Sequence, residues 1–181
     1  LFYVGAGLIL MAMFFKVSAV PFHFWAPDVY DGSPTLITTF MATVAKIAAF
    51  AAFYQLFSAG FKESIHTYAW IISGLTALTI IVGYITALTQ DSFKRMLAFS
   101  GVSHAGYLML GIVSCYQKSD NAIFFYSLAY GLSSVAAFAI AIAVAENTGS
   151  DKFESFNGLG KRKPFLALAL TIAMLSLAGI P

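Results

Sequence analysis

Long apolar segments separated by short polar stretches run through the whole sequence. About 20 consecutive apolar residues are enough for a helix to cross the hydrocarbon core of a bilayer. Six such segments can be drawn, the first interrupted and the last truncated: Phe2–Tyr30, Leu36–Phe57, Tyr68–Leu88, Met96–Cys115, Ala122–Ala145 and 164–181. The pattern predicts an all-α, polytopic transmembrane helix bundle that forms a single domain over residues 1–181.

Composition supports the membrane assignment and excludes several functions. The chain is 60% hydrophobic and 10% charged, whereas a soluble domain carries roughly 25% charged residues. Its dispersed net charge of +2 argues against a nucleic-acid partner. The single cysteine, Cys115, predicts no disulfide, zinc or iron–sulfur site, and no phosphate-binding glycine motif occurs. Because the sequence begins at Leu1 and ends inside apolar runs, we expect an internal fragment of a longer chain.

Basic residues in the polar connections predict how the helices are oriented. Cytoplasmic loops are enriched in lysine and arginine. The first, third and fifth connections together hold six basic residues: Lys94, Arg95, Lys152, Lys161, Arg162 and Lys163. The second and fourth connections hold only Lys62 and Lys118. We therefore expect the first set of connections to lie in the cytoplasm or the mitochondrial matrix.

The first apolar segment contains two prolines, Pro21 and Pro27, where one continuous helix would otherwise cross the membrane. A proline inside a helix removes a hydrogen bond and clashes with the preceding turn. Transporters place binding sites at discontinuous helices of this kind. His23 lies beside the break, where we expect it to cap freed carbonyl groups. Asp28 either has a structural role, as a cap or as the partner of a loop lysine, or takes up protons, and the sequence leaves both open.

Three titratable residues from three different helices are predicted at a similar depth. At a rise of about 1.5 Å per residue, Lys46, Lys16 and His104 lie roughly 17, 18 and 14 Å from their helix ends. The midplane of the hydrocarbon is about 15 Å from either edge. The sequence therefore places Lys16, Lys46 and His104 in one central layer.

A lysine in that layer is either tolerated or functional. Its side chain, roughly 6 Å long, does not reach the membrane surface from mid-depth, and its central placement costs about 2.5–3.5 kcal/mol. Two ammonium groups about 10 Å apart repel by about 1.7 kcal/mol at an effective dielectric constant near 20. A proton arriving on one lysine would then favour release from the other. We predict a proton relay through Lys16, Lys46 and His104.

The stretch FFKVSAVPFHFWAPDVYDGSPTLITTFMATVAKIAAF (Phe14–Phe50) closely resembles the antiporter-like membrane subunits of respiratory complex I, the NADH–quinone oxidoreductase. The DVYDGSP signature favours the type called subunit N, or mitochondrial subunit 2. DSFKRMLAFSGVSHAGYLMLG (Asp91–Gly111) and the terminal MLSLAGIP are similar to the same family. The resemblance covers essentially the whole sequence.

The resemblance implies a proton-translocating membrane-arm subunit, an antiporter-like half-channel coupled to quinone reduction elsewhere in the complex. Lys16 matches the family's lysine on a broken helix, Lys46 the lysine on the next helix, and His104 a histidine on the central polar axis. NADH, flavin, iron–sulfur clusters and quinone would be bound by other subunits, with no cofactor in this chain. Its partners would be other membrane-arm subunits and lipid, in the bacterial inner (plasma) membrane rather than the mitochondrial one. The family's remaining relay residues, a glutamate and a lysine, would lie before Leu1 and after Pro181.

Three alternatives remain open at this point. The chain is also similar to subunits of multisubunit cation/proton antiporters of the Mrp type. A non-pumping structural subunit of the membrane arm would carry its lysines as relics or assembly determinants. An enzyme acting on a lipid or peptide inside the membrane is the most remote, because the predicted helices contain none of the usual catalytic carboxylate, Ser–His or zinc-ligand pairs.

Overall fold

The computed structural model describes residues 1–61, 65–114 and 120–180. These residues form α-helices with one isolated β-bridge, between Ser92 and Lys152, and no strand. The helices are α1 Phe2–Val17, α2 Trp25–Gly32, α3 Thr35–Phe40, α4 Lys46–Gln55, α5 Ile65–Ala87, α6 Phe93–Val113, α7 Asp120–Thr148, α8 Leu159–Arg162 and α9 Pro164–Leu177. The predicted all-α fold class is confirmed.

Four helices among the described residues are long and apolar enough to cross a membrane: Thr35–Gly60, Thr67–Ala87, Phe93–Val113 and Asn121–Thr148. The apolar helices α1 and α9 are shorter. With 16 residues, α1 is about 24 Å long, less than the roughly 30 Å of hydrocarbon. At its C-terminal end α1 is interrupted after Val17.

The break between α1 and α2 is held by hydrogen bonds to its freed backbone groups. Ser18 adopts a left-handed conformation with φ of 63°, which ends α1. The backbone N–H of Val20 donates to Thr79 Oγ1 on α5 at 3.0 Å, and Trp25 Nε1 donates to the carbonyl of Phe15 at 2.9 Å. Non-helical backbone at membrane depth requires such partners because lipid offers none.

The helix that follows the break is continuous but irregular. Its α-helical parts α3 and α4 are joined by a π-helical segment, Met41–Ala45, and a second π-helical segment, Leu56–Gly60, ends it. In a π-helix the hydrogen bonds run from residue i to i+5 rather than i+4. Lys46 is the first residue after the Met41–Ala45 segment.

Helix α6 lies at the centre of the bundle and packs most extensively on α5. A Cβ added at Gly83 of α5 would lie 2.5 Å from Ser103 Oγ on α6, and one at Gly106 of α6 would lie 2.5 Å from Ile80 Cγ1 on α5. Small residues at these positions let the two backbones approach closely, as is common between membrane helices. Helix α6 is buried around most of its circumference, and its buried residues include His104.

Some residues used in the sequence predictions lie outside the described part of the chain. They are Cys115 and the two basic residues assigned to the less basic side of the membrane, Lys62 and Lys118.

Candidate functional site

Lys46 is buried at the centre of the bundle, with a relative exposure of 3%. Its ammonium group donates a hydrogen bond from Nζ to the carbonyl oxygen of Gly101 on α6 at 2.9 Å. The same nitrogen lies 5.9 Å from the centroid of the Tyr30 ring on α2, within the range of a cation–π interaction. The residues that contact the Lys46 ammonium are therefore neutral.

No carboxylate pairs with Lys46 among residues 1–61, 65–114 and 120–180. The ion pairs found there join Arg95 to Asp28 and to Asp31 at the end of the bundle. A charged group held inside a membrane without a counter-ion is costly and is commonly functional. Within the described ranges Lys46 therefore has no acidic partner that would hold its proton.

His104 lies on α6 one turn after Gly101 and is also buried, with 4% exposure. Its Nδ1 is 2.7 Å from the hydroxyl of Tyr126 on α7. Its Nε2 is buried and has no hydrogen-bond partner among the described residues. Because either ring nitrogen of histidine can carry the proton, His104 can accept a proton on one side of the ring and release it from the other.

A cavity of about 310 Å³ opens beside His104. Its lining is rich in aromatic hydroxyl groups and also includes the end of α9: Tyr84, His104, Tyr107, Tyr126, Tyr130 and Ser176–Gly179 are among the lining residues. A cavity of this size that contains several hydroxyl groups has room for water molecules, each of which needs two to four polar partners. Water in this cavity would connect His104 to the outside of the bundle.

Lys16 occupies a different environment from Lys46 and His104. Its side chain is exposed on α1, and no hydrogen bond or ion pair of Lys16 is found within the described parts of the chain. The structure therefore brings Lys46 and His104 together around Gly101 and leaves Lys16 on the outer face of α1. The role of Lys16 in a relay stays a prediction.

The two further candidates, His23 and Asp28, lie at the break and at the end of the bundle. The half-buried His23 contacts the backbone of Pro21, which favours the structural interpretation. Asp28 pairs with Arg95 at 2.9 Å, an arginine rather than a loop lysine, and its role in proton entry stays a prediction. The nearby lysine, Lys94, instead donates to the carbonyls of Asp31 and Ser33 at 2.9 and 2.5 Å and caps the C-terminal end of α2, where a cation is favourable.

Sequence reasoning missed several residues that surround Lys46 and His104. They are Tyr30, Gly101, Tyr126 and Tyr130. Tyr126 and Tyr130 are four residues apart and thus share one face of α7. This spacing was the one sequence signal that could have identified them as part of the site. Nothing in the sequence shows which helix that face contacts. No group of three or more potential metal ligands was found among the described residues.

Comparison with known proteins identifies a family that matches the sequence. The family model for the transmembrane part of NADH:quinone oxidoreductase and Mrp antiporter proteins matches residues 1–181. A Cytophaga hutchinsonii protein named NADH-quinone oxidoreductase subunit N is 49% identical over 100% of this chain and 40% of its own length. A second subunit N protein, from Herpetosiphon aurantiacus, is 45% identical over 98% of this chain and 36% of its own length. The chain thus spans about two fifths of the length of these relatives.

Solved structures share the fold. A chain of respiratory complex I from Thermus thermophilus, solved with bound aureothin, matches 99% of this chain and 39% of its own length with 39% identity and a TM-score of 0.77. A chain of the Mrp complex from Dietzia sp. matches 98% of this chain and 33% of its own length, with 28% identity and a TM-score of 0.89. The backbone is thus similar to both assemblies, while the sequence is more similar to the complex I chain.

Proposed function

Because the chain belongs to the NADH:quinone oxidoreductase/Mrp antiporter transmembrane family, we propose that it is part of a proton-translocating membrane-arm subunit of an NADH–quinone oxidoreductase. In this proposal Lys46 and His104 pass protons through the middle of the membrane, and Lys16 is the next group of the relay. The oxidation of NADH and the reduction of quinone take place in other subunits of the complex. Flavin and iron–sulfur clusters are held by those subunits as well.

One observation carries the proposal: Lys46 is buried and binds the Gly101 carbonyl rather than an acid. A lysine locked in a salt bridge would hold its proton, whereas one bonded to a neutral carbonyl is free to exchange it. His104 supports the same function because its Nε2 has no partner among the described residues and its Nδ1 contacts Tyr126.

The chain is a multi-pass membrane protein, and we propose the bacterial plasma membrane as its location because the relatives named above are bacterial. Its proposed partners are the other membrane-arm subunits and the surrounding lipid. Many large apolar side chains point outward, among them Leu8, Phe40, Trp70, Ile85, Phe125 and Phe165. Such a surface suits contact with lipid or with other membrane helices.

The second candidate is a subunit of an Mrp-type cation/proton antiporter. The TM-score of 0.89 to a chain of the Dietzia Mrp complex favours it. Two observations argue against it: the lower identity to that chain, 28% compared with 39% for the complex I chain, and the subunit N names of the two relatives described above.

The experiment that separates these functions uses the complete protein in its own membranes. Inverted vesicles from cells lacking the gene are compared with vesicles from complemented cells, and NADH-driven acidification is followed with a fluorescent pH probe. We expect acidification only with the gene present, abolished by a protonophore and unchanged when sodium is replaced by potassium. Normal NADH-driven acidification without the gene would refute the proposal. Proton movement that requires a sodium gradient but no NADH would establish the antiporter.

A further inference from the structure

The irregular turn immediately before Lys46 is held by a residue from another helix. Ala42 lies inside the π-helical segment Met41–Ala45, and its carbonyl accepts a buried hydrogen bond from the hydroxyl of Tyr130 on α7 at 3.0 Å. Single π-helical turns inside α-helices are frequent at functional sites. Because the α-helical hydrogen-bond register is interrupted there, a donor from outside the helix stabilises the wider turn.

Tyr130 also adjoins the ammonium group itself. A Cβ placed on Gly101 would lie 3.2 Å from Lys46 Nζ and 3.2 Å from Tyr130 Oη. The two atoms are therefore no more than twice that distance apart. Gly101 leaves the space that both groups occupy, and its carbonyl accepts the Lys46 hydrogen bond.

The ring of Tyr130 extends the contact to His104. The ring centroids of Tyr130 and His104 are 4.9 Å apart, and Tyr130 is buried with 5% exposure. One side chain thus contacts the backbone turn before Lys46, adjoins the space beside Gly101 and packs on the imidazole. Tyr126, by comparison, bonds directly to His104.

We infer that Tyr130 is a positioning residue that sets the Lys46 ammonium on Gly101, close to His104, by holding the π-helical turn through the Ala42 carbonyl. The inference rests on the proposed function of Lys46 as a proton carrier. A lysine side chain has four rotatable bonds and loses much conformational freedom when it is fixed. Fixing the turn from which it projects lowers the number of positions that its ammonium group can reach.

The test replaces Tyr130 with phenylalanine in the complete protein within its assembled complex. Tyr130→Phe keeps the ring against His104 and removes only the hydroxyl. We expect the complex to assemble and the protons moved per NADH oxidised to fall about two- to tenfold, the range for losing the hydrogen bond to the Ala42 carbonyl. The hydrogen bond between the Tyr130 hydroxyl and Ser134 on the same helix is lost as well. We also expect the pH profile of pumping to be displaced, because the ammonium group changes its surroundings.

Tyr68→Phe is the matched control. The Tyr68 hydroxyl also donates to a backbone carbonyl of another helix, that of Tyr3 at 2.6 Å, but Tyr68 packs elsewhere in the bundle. We expect its protons per NADH and its pH profile to match the wild type. If the Tyr130 hydroxyl only stabilised the fold, both variants would yield less assembled complex, and the protons moved per NADH oxidised would stay unchanged.

A double-mutant cycle with Gly101→Ala tests the shared space directly. In the wild-type background the new methyl group crowds both Lys46 Nζ and Tyr130 Oη, and we expect a further loss of protons per NADH. In the Tyr130→Phe background the contact with the hydroxyl is absent, so Gly101→Ala should lower the protons moved per NADH by a smaller factor. Additive effects would show that the two residues act independently and would overturn the inference.

The outcomes separate this inference from the proposed function. If Lys46→Met abolishes pumping while Tyr130→Phe matches Tyr68→Phe in every measurement, the positioning role is wrong and the relay stands. If Lys46→Met pumps normally in an assembled complex, the relay through Lys46 fails and the positioning role fails with it.

Discussion

Lys16 and Lys46 are predicted at the same depth of the membrane, yet the structure gives them opposite environments. Lys46 is 3% exposed and bonded to Gly101, whereas Lys16 is exposed on α1. Depth along a helix determines the level of a residue in the membrane but not the side of the helix on which it lies. Because their environments differ, the roles of Lys16 and Lys46 in proton transfer need to be tested separately.

The pattern of buried residues explains the difference. Residues three or four apart share one face of a helix. The buried residues of α1 follow this spacing and exclude Lys16: Ala6, Leu10, Phe14 and Val17. The buried residues of the segments around Lys46 follow the same spacing and include it: Ala42, Thr43, Lys46, Ala49, Phe50 and Phe53.

The largest effect is expected at Lys46. Lys46→Met keeps a similar volume and removes the charge, so we expect proton pumping to fall at least about tenfold, equivalent to about 1.4 kcal/mol. Assembly should be unimpaired, because removing a central charge relieves a cost of about 2.5–3.5 kcal/mol. The measurement is protons per NADH, normalised to assembled complex. Lys161→Met, at an exposed position, is the control. If Lys161→Met lost as much proton pumping as Lys46→Met, the loss would not be specific to the buried lysine.

A smaller loss is expected from Lys16→Met. The Lys16 side chain is exposed on α1 and lies apart from the contacts among Lys46, Gly101 and His104, so the loss of its amine leaves those contacts intact. The same vesicle assay compares the two variants at equal amounts of complex. Equal losses at Lys16 and Lys46 would contradict the difference in environment and would place both lysines in one enclosed path.

Thr79→Val should affect stability rather than proton transfer. Thr79 Oγ1 accepts from the Val20 N–H across the break, and an unsatisfied N–H costs about 1–3 kcal/mol. We expect a lower thermal midpoint of the purified complex, with protons per NADH much less changed than by Lys46→Met. Thr171→Val is the matched control, because Thr171 Oγ1 is exposed and donates within its own helix to Ala167 at 2.8 Å. Equal midpoints for the two variants would show that the Thr79 bond does not stabilise the break.

The smallest effect is expected from Asp28→Asn. The Asp28 side chain is 71% exposed and pairs with Arg95, and exposed ion pairs contribute about 0–1 kcal/mol. We expect both the thermal midpoint and proton pumping to remain close to the wild type. A large loss of pumping with normal assembly would instead show that Asp28 takes up protons.

The sequence was sufficient to predict the fold class and the family, because apolar segments of membrane length and the stretch around Lys46 are local signals. The surroundings of Lys46 were not predictable in the same way. Gly101 is 55 residues away from Lys46, and Tyr130 is 88 residues away from Ala42. Which carbonyl accepts from Lys46 is decided by how α4, α6 and α7 pack. Neither composition nor periodicity contains that information.

The partner of Asp28 shows the same limit at the end of the bundle. Lys94 and Arg95 are adjacent in the sequence, and a loop lysine was one of the partners considered for Asp28. At the start of α6, Arg95 reaches the carboxylates while Lys94 is buried against the carbonyls of Asp31 and Ser33. Adjacent residues on a helix point about 100° apart. The packing of α6 on α2 therefore determines that Arg95, and not Lys94, pairs with Asp28.

The most direct test of the account is a cryo-electron microscopy structure of the complete complex at a resolution that shows ordered water. The account predicts water bound to His104 Nε2 and continuing by hydrogen bonds to Lys46 Nζ through the space beside Tyr130. Lys46 bonded to Gly101 alone, with only carbon atoms between it and His104 Nε2, would contradict it.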